Sequence, residues 1–309
     1  MQSIIGLLIV LGCVFGGFLF SGGSFAVIWQ PVEMVIIVGT AVGALVVGNP
    51  RHVLSEMKLQ VRKVIVGRKL ESEFQRQLLL LMYELLQTAA GGLKALDAHV
   101  EAPQESDLFK RYPLILAEPK LLAFIVDNFR LMAMGKINAH ELEGVLEQEL
   151  EAIHDEMVQP SKSLQRIAEA MPGFGIMAAV LGIVMTMHSV AEGASSGEIA
   201  EHVAAAMVGT FLGVFFCYGL LDPLSNKMKQ VVTEEMSTLE SVKVVLVTHV
   251  SGKPPLLAID AGRRLVQLNT KPSFAKLEGW IDKLRAGDEE ADVAAPAARR
   301  AGDRRVQQA

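Results

Sequence analysis

Two uninterrupted apolar runs, separated by only a short acidic segment, constrain this chain more than any other feature. From 170 to 187 and again from 203 to 221 there is no Asp, Glu, Lys or Arg. As helices rising 1.5 Å per residue, each run reaches roughly 28 Å, about the thickness of a hydrocarbon core. Lipid offers no water to unpaired backbone groups, so such runs cross it as helices. The pair is expected to form a membrane hairpin over about 171–188 and 203–222, joined by the acidic loop 189–201. Pro172 is expected to open the first helix and Pro223 to follow the last turn of the second, ordinary places for proline at helix ends.

The N-terminal fifty residues carry a second apolar pair. Glu33 is their one charged residue, so the run MQSIIGLLIVLGCVFGGFLF lacks the positive segment that a secretory leader uses and reads as a retained helix. The expected spans are about 4–21 and 34–49, with Trp29 placed where an interfacial aromatic sits. Between 51 and 70 stand Arg51, Lys58, Arg62, Lys63, Arg68 and Lys69 against Glu56 alone. That density beside a membrane exit marks the cytoplasmic side. It implies cytoplasmic termini, a cytoplasmic 51–170 and outer loops that hold Glu33, Glu192, Glu198 and Glu201 but no Lys or Arg.

The expected fold is therefore an all-α integral membrane protein. It has four transmembrane helices with a large helical cytoplasmic domain between helices two and three. The domains run 1–50, 51–170, 171–223, then C-terminal cytoplasmic helices over 224–285 and a disordered tail over 286–309. Apolar residues recur at helical spacing in FQRQLLLLMYELLQTAA, LLAFIVDNFRLMAMG and HELEGVLEQELEAIHDEM, with Gly91, Gly92, Pro103, Pro113 and Pro119 dividing the segments. The tail is Ala, Arg and Asp without periodicity.

Several function classes are excluded. The net charge of −5 and the lack of a basic, aromatic-interleaved stripe argue against nucleic-acid binding. Cys13 and Cys217 lie in apolar windows, which rules out a disulfide framework or a cysteine zinc site. There is no Walker-type loop, G-x-S-x-G, H-E-x-x-H or dinucleotide fingerprint, so neither catalytic residues nor a metal or cofactor are expected. His188 and His202 flank the outer loop as solvated histidines.

Helices associate in lipid through close packing of small residues. Gly12/Gly16, Gly39/Gly43, Ala178/Gly182 and Ala205/Gly209/Gly213 supply that spacing, either for packing within the chain or for assembly around a partner helix. None of the four windows holds an Asp, Glu, Lys or Arg. Either the chain moves no ions, or a second polypeptide brings the carboxylate. Thr210 could line a polar path with its hydroxyl, although a membrane threonine commonly bonds its own helix at the i−4 carbonyl.

The chain resembles the MotA family, the membrane subunits of the bacterial flagellar stator. Matching blocks are LGCVFGGFLFSGGSFAVIWQPVEMVIIVGTAVGALVVGN, VEAPQESDLFKRYPLILAEP, LLAFIVDNFRLMAMGKINAHELE, MPGFGIMAAVLGIV, AAMVGTFLGVFFCYGLLDPL and KPSFAKLE, in order over nearly the whole chain apart from the tail. The resemblance implies a bacterial inner-membrane subunit that surrounds a MotB-like partner in a five-to-two complex, with the partner's membrane aspartate as proton carrier. Pro172 and Pro223 match the family's paired prolines, which couple ion passage to movement of the cytoplasmic domain. Thr210 matches the threonine that faces the partner's carboxylate. Ala179 stands where sodium-driven relatives carry a second threonine, which implies a proton as the coupling ion. The family engages the rotor protein FliG through an acidic and a basic residue. Asp97 matches the first, while the second falls on Ala89, with Lys94 or Arg76 as substitutes. The competing readings are an energising channel of the ExbB or TolQ type, which implies three spans and an outside N-terminus, and a non-conducting membrane scaffold.

Overall fold

The computed structural model describes residues 2–67, 71–134 and 137–287; the side chains of 2–4 and 93–95 are also outside the described set. Every regular element among the described residues is helical. In chain order these are α1 (Gln2–Phe20), α2 (Phe25–Ile28), α3 (Pro31–Gly48), α4 (Arg51–Val66), α5 (Glu71–Gly91), α6 (Leu93–Val100), α7 (Asp107–Lys110) and α8 (Pro113–Leu116). Then come α9 (Pro119–Ala133), α10 (Ala139–Ala191), α11 (Ser196–Val214), a π-helical turn (Phe215–Leu221), α12 (Asp222–Val250), α13 (Pro255–Arg263) and α14 (Phe274–Ala286). The residues divide into two compact units, one up to 67 with 155–233 and the other 71–154 with 234–287.

The first unit holds the apolar helices. Among the described residues three stretches are long and apolar enough to cross a membrane: α3, part of α10, and the continuous helical run from Ser196. The N-terminal helix adds the shorter apolar stretch Ile5–Phe20. Ile37 and Ala41 of α3, Met171 and Ala178 of α10, Leu212 of α11 and Cys217 form one buried cluster. Phe15 of α1 meets Phe215 edge to face, with ring centroids 5.3 Å apart. A second cluster gathers Met57 of α4, Leu164 of α10 and Met228 of α12. Beside it the buried Gln60 amide donates to the Met157 carbonyl at 2.8 Å, and the Ser163 hydroxyl donates to Asn49.

The helix ends depart from the sequence reading in three places. Pro172 does not open a helix: it lies inside α10, which runs on for 53 residues and contains Pro160 as well. Pro223 likewise does not follow a last turn, because the π turn passes without a break into α12. A proline's fixed φ suits either a first turn or a helix interior, and the periodicity that precedes it decides which. Here the polar helical pattern upstream continues into the apolar run. The expected loop 189–201 shrinks to a turn, since α10 continues to Ala191 and α11 begins at Ser196. One of its charges, Glu198, belongs to a capping box: Ser195 Oγ accepts from the Glu198 N–H, and the Glu198 carboxylate accepts from the Ser195 N–H.

The second unit is organised on α5, whose Leu78 to Met82 run is almost wholly inaccessible. A helix buried nearly all round needs partners on every side. Among the helices around it, α13 approaches α12 closely because Gly262 has no side chain; a Cβ there would stand 2.9 Å from the Ser241 carbonyl oxygen. The helix α14 is tied to α5 by Arg285, which donates to the Tyr83 hydroxyl at 2.7 Å. Ala286, expected to begin the tail, still belongs to α14. The rest of that expected tail, from 288, lies outside the described residues.

Candidate functional site

The candidate ion-path residues sit on one antiparallel seam between α10 and α11. At one end the Met171 carbonyl faces Gly213, where a Cβ would lie 2.7 Å from the oxygen. One turn on, a Cβ on Gly175 would lie 2.8 Å from the Gly209 carbonyl oxygen and 3.0 Å from the Gly213 Cα. Further along, the same construction on Gly209 meets the Ala178 Cβ at 3.4 Å and the Ala179 nitrogen at 3.5 Å. Gly182 opposite Ala206 closes the series. Backbones approach this closely only where no side chain intervenes, which explains why this seam is built from Gly and Ala.

Pro172 begins the seam on α10, since Met171 and Gly175 flank it. It also removes the N–H that would have bonded the Ala168 carbonyl, so α10 is weakened where it meets Gly213. Ala179 and Thr210 are brought to the same level, because Gly209 touches the Ala179 nitrogen and Thr210 follows it. Thr210 is half-buried. The expectation that its hydroxyl bonds the i−4 carbonyl is not met: among the described residues the Thr210 hydroxyl has no hydrogen-bond partner. Thr186 does make that bond, donating to the Gly182 carbonyl at 2.8 Å. Pro223 is exposed and stands after the π turn, where the Asp222 N–H bonds the Cys217 carbonyl five residues back. This wide turn accommodates the proline ring, which in a regular helix would meet the Gly219 carbonyl.

The seam also shows what the sequence reading left out. Gly175 is its tightest point on α10 and is not among the small-residue pairs read from the sequence, although Gly175 and Ala179 have that four-residue spacing. Conversely, Gly12, Gly16, Gly39 and Gly43 have nothing within 4 Å of an added Cβ. Their expected packing is not made within this chain. Exposed apolar stripes run along Val35, Val38, Val42 and Val46 of α3 and along Val203, Met207, Phe211, Val214 and Tyr218 of α11 and the π turn.

In the second unit Asp97 is exposed on α6 and Ala89 half-buried on α5. The Lys94 side chain lies outside the described residues. Arg76 does not serve as a surface cation: its side chain is 13% exposed, bridges to Glu73 at 3.4 Å and stacks toward Trp280. A guanidinium in this unit comes instead from Arg111, paired with Glu84 at 2.9 Å in an open groove that Thr88, His99 and Asp107 also line. No local signal marks Arg111, because α5 and α7 meet only in the fold.

Comparison with known proteins gives concordant matches. The model of the motility protein A N-terminal region matches residues 4–92, and that of the MotA/TolQ/ExbB proton channel family matches residues 120–241. Chemotaxis protein LafT of Vibrio parahaemolyticus is 52% identical over 91% of this chain and 98% of its own length. Motility protein A of Escherichia coli is 36% identical over 92% of this chain and 96% of its own. Among solved structures, MotAB of C. jejuni superposes with a TM-score of 0.69 at 15% identity, covering 88% of this chain and 98% of that one. The flagellar MotAB stator complex of Bacillus subtilis gives 0.66 at 21% identity, covering 87% and 98%.

Proposed function

Because this chain belongs to the motility protein A family, we propose that it is a flagellar stator subunit which, with a MotB-type partner, conducts protons and converts their flow into torque on the rotor. It is a membrane protein and not an enzyme. The observation that carries the reading is the α10–α11 seam: a glycine-lined crossing with an unpartnered threonine hydroxyl, in two helices whose windows contain no Asp, Glu, Lys or Arg of their own. Such a pair needs a carboxylate from a second polypeptide to pass protons.

In this reading α1, α3, about 171–188 of α10 and about 203–222 are four spans of the bacterial inner membrane, and both termini face the cytoplasm. Five copies surround two partner helices, and the open faces at Gly12, Gly16, Gly39 and Gly43 support contacts between copies. The partner's aspartate packs against Thr210 and Ala179, and its protonation changes the packing of the third and fourth spans about Pro172 and Pro223. The few oxygen ligands beside Ala179 favour a proton over dehydrated sodium. One proton falling through 100 mV releases roughly 2.3 kcal/mol, enough to bias a packed interface. The ring then turns and acts on FliG through the charged surface of Asp97, with Lys94 or Arg111 as the basic member.

Expression in a stator-less flagellated host, with and without a MotB-type partner and with and without sodium, tests this reading. Motility that needs the partner and persists without sodium is the expected result. Motility that stops without sodium overturns the proton, and none with any partner despite membrane insertion overturns the stator.

A further inference from the structure

Glu33 is the only charged residue before Arg51, and the sequence places it in an outer loop. In the structure it lies in the first turn of α3, half-buried. Its Cγ stands 3.6 Å from the position of a Cβ on Gly209. The same point is 3.5 Å from the Ala179 nitrogen, and Thr210 is the next residue. One turn along α3, Ile37 is wholly buried in the cluster with Met171 and Ala178, so Glu33 is held where α3 packs on the seam. Among the described residues its carboxylate has neither a hydrogen bond nor an ion pair.

A carboxylate at the edge of a membrane path, with no partner holding its oxygens, is available to bind and release a proton. Neighbouring charges do not replace it. On α11, Glu198 is committed to its capping box with Ser195, and Glu201 and His202 lie about two turns from Gly209. On α10, His188 faces Glu192 at 3.5 Å. The helices α1 and α2 carry no charge at all.

We propose that Glu33 is a proton-loading carboxylate contributed by this chain at the outer flank of Thr210. It takes a proton from hydronium, releasing water, and returns to carboxylate when it passes that proton inward toward the partner's acid. This rests on the stator reading above. It adds a second titrating group to a path that would otherwise depend on the partner alone.

The test uses the full chain with its partner in the stator-less host, as wild type, Glu33→Gln and Glu33→Asp. Bead rotation at low load is followed as external pH moves from mildly acidic to mildly alkaline, and a fluorescent fusion reports assembly. Glu33→Gln is expected to slow low-load rotation severalfold, with a deficit that grows as external protons become scarce, while stall torque and assembly persist. Glu33→Asp should keep most of the speed. A wild-type speed profile in Glu33→Gln overturns the proposal. So does lost assembly in Glu33→Gln or equal loss in both variants, since either marks a packing role. An immotile wild type instead removes the stator reading, and this inference with it.

Discussion

The Met171 carbonyl oxygen lies 2.7 Å from where a Cβ on Gly213 would stand, so the peptide preceding Pro172 rests directly on the backbone of α11. The relationship ties the proline of one helix to the glycine of the other. Any change in how α10 bends at Pro172 is felt first at Gly213, with no side chain between them to absorb it.

Gly213→Ala must therefore move backbone, whereas Gly209→Ala meets only ordinary contacts at 3.4 Å and beyond. The first should destabilise the protein by about 1–3 kcal/mol and the second by well under that. Thermal unfolding of the two variants in detergent checks the contrast. Equal midpoints would remove the seam as a packing constraint.

Thr210→Val keeps shape and removes a hydroxyl that has no partner within the chain. Stability in detergent should stay within about 0.5 kcal/mol, while swimming speed and proton uptake with the partner fall markedly. If uptake is unchanged, the hydroxyl is not on the path.

Replacing Pro172 with Leu restores a donor for the Ala168 carbonyl inside α10. Relief of an internal proline is worth roughly 3 kcal/mol to a helix, so the variant should unfold at higher temperature yet lose motility. A stabilised variant that still swims would separate Pro172 from coupling.

The parts of this molecule legible in the sequence are those that one helix can specify alone. Charge-free windows announce apolar helices, and Ala178, Gly182, Gly209 and Gly213 announce a close approach. What was not legible depends on two helices at once. Whether Pro172 starts a helix or interrupts one depends on the register of some thirty residues before it. The acidic character of 189–201 suggested a loop because charge is read as solvation, yet Glu198 is a cap that starts a helix. Glu33 and Arg111 are ordinary charged residues in sequence and gain meaning from Gly209 and Glu84, which lie far along the chain. Burying Tyr83 against Arg285 needs a partner 202 residues away, which no periodicity encodes.

Asp260 provides a pH test in the second unit. Burial pushes its carboxyl up, but hydrogen bonds from Arg263 at 2.7 Å and Arg264 at 3.0 Å, with their charges, outweigh burial and hold it below its ordinary value of 3.8. A depressed carboxyl contributes stability above its unfolded value and loses it as pH falls through the folded one. Acid should thus unfold this unit below the ordinary carboxylate range. Asp260→Asn should remove that acid sensitivity and cost about 3 kcal/mol near neutral pH by stranding a guanidinium. Trp280 emission during acid titration, in a Trp29→Phe background, reads both effects.

Asp97 is exposed, and its side chain has no hydrogen bond or ion pair among the described residues. Asp97→Lys should leave stability within about 0.5 kcal/mol and leave stator assembly intact, while torque on the rotor drops. Bead assays with a fluorescent stator count separate the two, and unchanged torque per stator would exclude Asp97 from the contact.

The π turn at 215–221 works as a phase offset. Its extra residue means that everything after it is indexed one position, about 100°, away from where an unbroken helix would place it. Met228 and Val232, at 0% and 1% exposure, are aimed into their core by that offset. Deleting one residue from the turn would leave the apolar stripe above it intact and swing the buried face below it out of register, so a single codon sets the angular gearing between two halves of one continuous helix.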